Sequence, residues 1–368
     1  MSQRRTTTQA NTVPMTASVK MFAIDLAKHV FQVAGEDAHG TVVFEHRYRS
    51  REAFFDFVRN AKSGQQAVME TGPGAQAWAR ELIARGVQVR ILPAQRVAEH
   101  RSGPKNDRND ALALLRAARD TSIHEVPIKS AERLALQAVH RVRHGYVRRR
   151  TALANQARGL LLEQGMALAR GEQALIAGLR RALADATVPL PDRLRELLAD
   201  LWAEWETLGQ RIERLSADLA QRARHDGLAH RLMRVPGIGP VTASALVCKE
   251  LVQERYAGAR AFAASFGLVP DQHSSGQRVR LGKMSRRGDA YLRSLLIEGA
   301  QSVLRRVNPD DPSNDRLHRW LRRHGRKGAA VRLANRNLRI VWHLLPDGAS
   351  YRHAEPTTTS SCAEASMN

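Results

Sequence analysis

The first third of the chain alternates short apolar runs of strand length with runs of helical period. Between residues 19 and 120 the order is strand, strand, strand, helix, strand, helix, strand, helix. Gly35 and Gly40 separate the first three runs, which favours an antiparallel meander. The later alternation favours crossover connections between parallel strands. This order therefore predicts an α/β domain over residues 19–125.

Carboxylates end two of the predicted strands. Asp25 closes the first apolar run, and Glu70 closes the strand before the second helix. Asp107 and Asp110 lie three residues apart at the entry to an Ala/Leu-rich helical stretch, and this spacing places both on one helix face. Four converging acids repel one another unless a cation lies among them. They predict a site for a hard divalent cation, Mg²⁺ or Mn²⁺.

This arrangement of acids restricts the choice of α/β fold. A three-strand antiparallel start followed by crossovers, with acids at strand ends and on a helix, is the layout of the ribonuclease H-like nuclease fold. A doubly wound nucleotide-binding domain is the rival. The Gly-x-Gly-x-x-Gly turn typical of that rival does not follow the first predicted strand.

The composition is strongly basic, with 58 Lys and Arg against 36 Asp and Glu, a formal charge of +22 and a pI near 11.2. About half of this excess lies in residues 268–343. Such a balance favours a polyanionic partner, and nucleic acid is the first candidate. An arginine-rich proteome would produce part of the same excess.

The remaining bulk features place the protein in a reducing cytoplasmic setting, associated with the nucleoid when it is bound to DNA. Cys248 and Cys362 are too few and too far apart for a disulfide framework or a zinc site. No apolar run approaches the ~18 residues that a membrane span needs. Residues 1–18 resemble a flexible leader and not a signal peptide. Residues 347–368 form a Thr/Ser/Ala tail that we expect to be disordered.

Residues 126–230 are predicted to be a helical spacer. Two long helices, Ala131–Gln164 and Asp192–Arg224, are joined by a break at residues 188–191, as in a helical hairpin or an antiparallel coiled coil. Their apolar stripe indicates core or dimer packing. The first helix carries a cluster of five arginines, Arg141, Arg143, Arg148, Arg149 and Arg150. This cluster is either a surface that contacts phosphate groups or a charged face with no binding role.

Residues 231–346 are predicted to be a helical distal domain. Gly237 and Gly239 lie in a Pro-Gly-Ile-Gly turn of helix-hairpin-helix form, which could bring backbone amides to a phosphate. An ordinary glycine-rich helix connection is the alternative. Ser274 and Ser275 lie in a loop before a basic run, although serines in such loops are commonly turn residues. The cations expected to contact phosphate there are Arg278, Arg280, Lys283, Arg286, Arg287 and Arg293.

These motifs in this order resemble the DEDD-type insertion-sequence transposases, which include the Piv-like DNA invertases and the bridge-RNA-guided recombinases. The resemblance spans residues 19–345 and rests on Asp25, Glu70-Thr71-Gly72, the 105–111 segment Lys-Asn-Asp-Arg-Asn-Asp-Ala, the glycine turn and the Ser-Ser-Gly loop. It implies a Holliday-junction-resolvase-like ribonuclease H domain and a distal domain that supplies a nucleophilic serine.

The resemblance also implies the reaction. Ser275 directly precedes Gly276 as the family serine precedes its glycine, so Ser275 is favoured over Ser274 as the residue that forms a covalent phosphoserine with DNA. A structured RNA made from the element would pair with donor and target DNA. The long sequence separation between the acids and Ser275 favours composite sites in a homodimer or homotetramer.

Three functions follow from these features. The first is a DNA transposase or recombinase. The second is a metal-dependent, structure-specific nuclease of the Holliday-junction resolvase type, in which water is the nucleophile. The third is a nucleic-acid-binding protein whose acids have no catalytic role.

Overall fold

The computed structural model describes residues 18–185, 187–272, 280–308 and 314–351. The chain divides into two compact units, residues 1–130 and residues 131–368. Each unit has its own hydrophobic core.

The first unit is built on a five-stranded mixed sheet in the order β3-β2-β1-β4-β5. The first three strands pair antiparallel, whereas β4 pairs parallel to β1 and β5 parallel to β4. The strands are β1 Met21–Leu26, β2 Phe31–Glu36, β3 Val42–Tyr48, β4 Gln66–Glu70 and β5 Gln88–Leu92. The predicted meander and crossovers are therefore present, and the topology is compatible with a ribonuclease H-like fold.

Helices cover both faces of this sheet, so its central strands are apolar on both sides. Phe22 and Ile24 of β1 belong to a core that includes aromatic residues of α1 and α2, while Ala23 between them packs in the core around α4. Helix α1 begins where the Ser50 hydroxyl accepts the Ala53 amide at 3.1 Å. The helices are α1 Arg51–Arg59, α2 Ala75–Ile83, α3 Ala94–Glu99 and α4 Asp107–Arg119.

The second unit begins with a long antiparallel helix pair, α5 Ala131–Glu163 and α7 Asp192–His225. Side-chain contacts give the direction, because Arg133 pairs with Asp226 near one end and Arg143 with Ser216 further along. A helix that we did not predict, α6 Glu172–Ala184, lies in the connection. Leu175 and Leu179 of α6 join the core of the pair, so the connection is a packed element and not a simple break.

The rest of the second unit is mostly helical but contains a short hairpin, a departure from the all-helical expectation. Strands β6 Pro270–Gln272 and β7 Leu281–Met284 pair antiparallel. The helices are α8 Gly227–Leu232, α9 Pro240–Val247, α10 Ala259–Ser265, α11 Ala290–Arg305 and α12 Asp315–Leu344, with a 3₁₀ turn at Gln253–Arg255. Gly325 interrupts α12 with a φ of 64°. Within the described ranges, no helix is long and apolar enough to cross a membrane.

Candidate active site

Two of the predicted acids lie side by side at one edge of the sheet. Asp25 follows Ile24 in β1 and Glu70 follows Met69 in β4, and Ile24 and Met69 are register partners in this parallel pair. Because parallel strands end at the same edge, the two carboxylates occupy neighbouring positions there.

The other two acids lie in the first turn of α4. The Asn106 side chain caps this helix by accepting the Asn109 amide at 2.8 Å, which begins the helix at Asp107. Buried Ala111 and Leu114 pack in one cluster with residues of the central strands, and this packing holds the first turn of α4 against the sheet.

The four carboxylates act on one another electrostatically. Burial, and after it the charges of Glu70, Asp110 and Asp107, together raise the pKa of Asp25 to about 6. Burial, and then the charge of Asp110, also raises the pKa of Glu70. Acids from two strands and a helix are therefore close enough to act on one another, in the type of environment that favours a bound cation.

Arginines already offset part of this negative charge. The Arg101 Nε lies 2.5 Å from the Asp110 Oδ1, and the charge of Arg101 lowers the pKa of both Asp25 and Glu70. The Arg47 Nη2 lies 2.9 Å from the Asp107 Oδ2. Neither arginine was predicted from the sequence. The sequence position of Arg101 could have indicated its contact with the acids, because Arg101 lies six residues before Asp107 in the loop that leads into α4.

The donor set fits a hard divalent cation by its chemistry, because carboxylate oxygens are the ligands that Mg²⁺ and Mn²⁺ prefer. The raised pKa of Asp25 agrees with this, since a bound cation would offset both the burial of the carboxylate and its repulsion by the other acids, which together raise that pKa. In the part of the chain that the structure describes, no three Asp, Glu, His or Cys side chains close around a single point. The ion pairs to Arg101 and Arg47 hold two of the four acids.

The predicted serine loop falls largely outside the residues that the structure describes. Ser274, Ser275 and Arg278 lie outside the described residues, in the segment that joins β6 to β7. Four of the cations around it are exposed: Arg280, Lys283, Arg286 and Arg287. Arg293 differs from the prediction, because its side chain is buried and its guanidinium donates to the carbonyl oxygens of Phe266 and Arg287.

The basic cluster of α5 separates into two groups. Arg141, Arg148 and Arg149 are exposed. Arg143 donates to the Ser216 hydroxyl at 2.7 Å, and Arg150 pairs with Glu172 at 2.7 Å while its guanidinium lies 3.7 Å from the centre of the Trp205 ring. The last two arginines thus join helices of this unit together, and only the first three present a free positive face.

The Pro-Gly-Ile-Gly turn is used in internal packing. Gly237 has a φ of 93°, and a Cβ on Gly299 of α11 would lie 1.9 Å from the Gly237 carbonyl oxygen. The buried Asn337 amide donates to the Pro236 carbonyl at 2.8 Å. Gly239 caps α9 with an ordinary φ of −84°. The glycine at 237 is therefore needed for a close backbone crossing inside the protein.

A buried polar group in the second unit was missed from the sequence. The His140 ring lies between the Tyr291 hydroxyl and the Ser244 hydroxyl, 3.1 Å from each, and so links α5, α9 and α11. Burial, and after it the charge of Arg143, together lower the pKa of His140 to about 4. A neutral histidine here acts as both donor and acceptor.

A mixed sheet with four neighbouring acids, followed by a basic helical unit with a glycine turn, is compatible with a DEDD-type DNA transposase. Comparison with known proteins agrees. Residues 22–165, which contain all four acids, match the DEDD transposase model of the IS110 group, and residues 229–314 match the model described as "Transposase IS116/IS110/IS902 family". The chain belongs to this family of insertion-sequence transposases.

Relatives match over nearly the whole chain. The "probable family 20 transposase" of Pseudomonas aeruginosa is 43% identical over 337 residues, which cover 91% of this chain and 99% of the relative. The transposase for insertion sequence element IS1111A of Coxiella burnetii is 35% identical, with 91% and 92% covered. The transposase for IS1328 of Yersinia enterocolitica is 34% identical, with 91% and 99% covered.

Proposed function

We propose that this transposase cuts and rejoins DNA through a covalent phosphoserine intermediate formed by Ser275. Asp25, Glu70, Asp107 and Asp110 are the residues that would hold the divalent cation, Mg²⁺ or Mn²⁺. The observation that supports this proposal is the convergence of the four acids at one sheet edge, expressed in the raised pKa of Asp25. When bound there, the cation neutralises charge that develops on a phosphate.

The serine step balances as follows. The Ser275 Oγ bonds to phosphorus, the bond from phosphorus to the oxygen of one DNA strand breaks, the serine proton passes to a base, and the released strand oxygen takes up a proton. A hydroxyl from another DNA end then attacks the phosphoserine in the reverse sense. Because the phosphodiester energy is kept in the covalent link, strand exchange needs no external energy source.

The remaining parts of the proposal concern partners. Exposed cations around the β6–β7 hairpin and on α5 would contact element-end and target DNA through its backbone, which positions DNA without reading its sequence. A structured guide RNA would supply the sequence specificity. The enzyme would act in the cytoplasm, on the nucleoid, as a homodimer or homotetramer in which the acids of one subunit serve Ser275 of another.

A metal-dependent nuclease of the resolvase type is the second candidate. One observation favours it: the four acids lie in a unit with a core of its own, and Ser275 belongs to the other unit. In this mechanism water attacks the phosphate and Ser275 shapes a turn.

The deciding experiment uses labelled element-end DNA, the transcribed flanking RNA and Mg²⁺, and measures a protease-sensitive, serine-linked DNA adduct. We expect Ser275→Ala to lose the adduct and to reduce recombination by about 10³-fold or more, whereas the neighbouring Ser274→Ala retains both. Recombination that persists in Ser275→Ala would rule out the serine mechanism. Cleavage without an adduct would favour the nuclease. Full activity in both Ser275→Ala and Asp25→Asn would leave the nucleic-acid-binding function as the remaining explanation.

Mixing two inactive variants tests the composite site. Asp25→Asn and Ser275→Ala each lack one half of the machinery, so mixed oligomers restore activity only if the acids and the serine come from different subunits. Each variant alone is the control. Failure to restore activity at any mixing ratio, with mixed oligomers shown to form, would contradict the composite arrangement.

A further inference from the structure

The β6–β7 hairpin is too small to hold its own geometry. Pro270 pairs with Met284 and Gln272 with Leu281, and this short ladder is all that joins the described strands. An isolated two-stranded hairpin is marginally stable in water. The position of the two described strands therefore depends on how the base of the hairpin is fixed to the rest of the unit.

Two glycines bring the incoming and outgoing chains into backbone contact at that base. Gly267 has a φ of 70°, and a Cβ there would lie 2.2 Å from the Arg287 carbonyl oxygen. Gly288 has a φ of 77°, and its Cβ would lie 2.0 Å from the Ser265 carbonyl oxygen. Each position needs glycine both for its backbone angle and for the space, so the chain before β6 crosses the chain after β7 at van der Waals distance.

A single buried arginine joins the same two chains. The Arg293 side chain is 9% exposed. Its Nη1 donates to the Phe266 carbonyl at 3.0 Å and to the Arg287 carbonyl at 2.8 Å, one on each side of the hairpin. An ionised donor makes a stronger hydrogen bond than a neutral one, and a buried guanidinium is costly unless it makes such bonds.

Arg293 extends from a helix whose start is itself fixed. Asp289 caps α11 by accepting the amides of Tyr291 and Leu292, and it pairs with the Lys249 Nζ at 2.8 Å. Tyr291 packs against His140. The arginine therefore lies on a rigid element, as positioning residues require.

We propose that Arg293 is a positioning residue for the transposition reaction: it ties the two ends of the β6–β7 hairpin together and so fixes the base to which the segment carrying Ser275 is attached. Its effect on the reaction rests on the proposed serine mechanism. The clamp itself is a property of the described residues, and the two can be measured separately.

The test compares Arg293→Met and Arg293→Lys with Arg305→Met, a control that removes an exposed cation from the last turn of the same helix. Hydrogen exchange of the peptide covering residues 281–287 reports the clamp, because the Ser285 amide donates to the Val269 carbonyl at 2.9 Å. We expect exchange there to rise about tenfold in Arg293→Met and less in Arg293→Lys, which keeps a charged donor. Arg305→Met should leave exchange unchanged.

The reaction gives the second readout. Misplacement of a reacting group by about 1 Å costs on the order of 10²-fold in rate, so we expect adduct formation to fall by about that factor in Arg293→Met and to be partly rescued in Arg293→Lys. The salt dependence of DNA binding should match that of the wild type, since a buried arginine neutralises no phosphate. If Arg293→Met does not fold, Arg293→Lys carries the same measurements.

Three outcomes would overturn the inference. Unchanged hydrogen exchange would show that Arg293 does not clamp the hairpin. A salt slope reduced by about one, with unchanged exchange, would identify a phosphate contact instead. Raised exchange with normal adduct formation would show a clamp without a positioning role. If Ser275→Ala itself recombines DNA, the serine mechanism fails, and hydrogen exchange still decides whether the clamp exists.

Discussion

Lowering the pH should weaken the second unit through His140. This histidine is buried between two hydroxyl groups and its folded-state pKa is about 4, against an ordinary value of 6.5. Two titratable groups lie next to the ring: Arg143 on the same helix, whose charge lowers the pKa of His140, and the neutral Tyr291 phenol on α11, whose own pKa is raised by burial. Because the unfolded chain binds a proton at His140 more readily than the folded chain does, stability is lost as the pH falls from about 6.5 to about 4.

The size of the effect follows from the two pKa values. A difference of one pKa unit between the folded and unfolded states corresponds to about 1.4 kcal/mol. The two pKa values of His140 therefore limit the loss in the free energy of unfolding to roughly 3 kcal/mol. At pH 5, where most of the unfolded histidine is protonated and most of the folded histidine is not, the loss is about 2 kcal/mol. His140→Gln keeps one donor and one acceptor for the two hydroxyl groups but does not titrate.

Urea unfolding at pH 7.5 and pH 5 measures this difference. Tryptophan fluorescence reports mainly on the second unit, which contains Trp202, Trp205, Trp320 and Trp342. We expect the wild type to lose about 2 kcal/mol more than His140→Gln between these pH values. His225→Gln, which replaces an exposed histidine of the same unit, controls for the loss of a titrating group from the unfolded chain. Equal losses in the wild type and in His140→Gln would refute the reasoning.

Two further changes test the described packing and charge. Asp25→Asn should abolish strand cleavage yet stabilise the cation-free first unit at pH 7.5 by roughly 3 kcal/mol, because the pKa of Asp25 is raised from 3.8 to about 6 and its ionisation opposes folding increasingly as the pH rises through this range. Hydrogen exchange of the β4 peptide measures this gain. A gain that persists at pH 3, where the carboxyl is protonated, would argue against the reasoning. Gly299→Ala should destabilise the second unit by about 2 kcal/mol through its clash with Gly237. Gly145→Ala in α5 is the matched control, because an added Cβ there would have no neighbouring atom within 4 Å, and it should stabilise the second unit by up to about 1 kcal/mol. Similar thermal unfolding of the two variants would contradict the close backbone contact between Gly237 and Gly299.

The first unit could be predicted well because its signals are local. The continuous apolar run of β1 and the helical period of α4 are contained in short windows, and both elements form where predicted. The positions of Asp25 and Glu70 follow from the same reasoning, because the end of a predicted strand can be located from the sequence alone. The prediction was less complete where an element carries little periodicity of its own, as in α3 and α6.

The roles of individual cations could not be predicted in the same way. Arg286 and Arg293 were both predicted to contact phosphate, yet one is exposed and the other is buried on two carbonyl oxygens. Arg148 and Arg150 differ in the same manner. The count of arginines indicated a polyanionic partner, but which of them are free to contact it depends on side chains that are distant in sequence.

The sequence by itself determined the class of fold, the four acids and the basic character of the second unit, because period, spacing and net charge are properties of short segments or of composition. Only the tertiary structure decided that Arg101 pairs with Asp110, that Gly237 and Gly299 cross in contact, and that Arg293 ties the hairpin. Each of these depends on groups brought together by folding, where burial makes an unpaired charge or an extra methyl group costly.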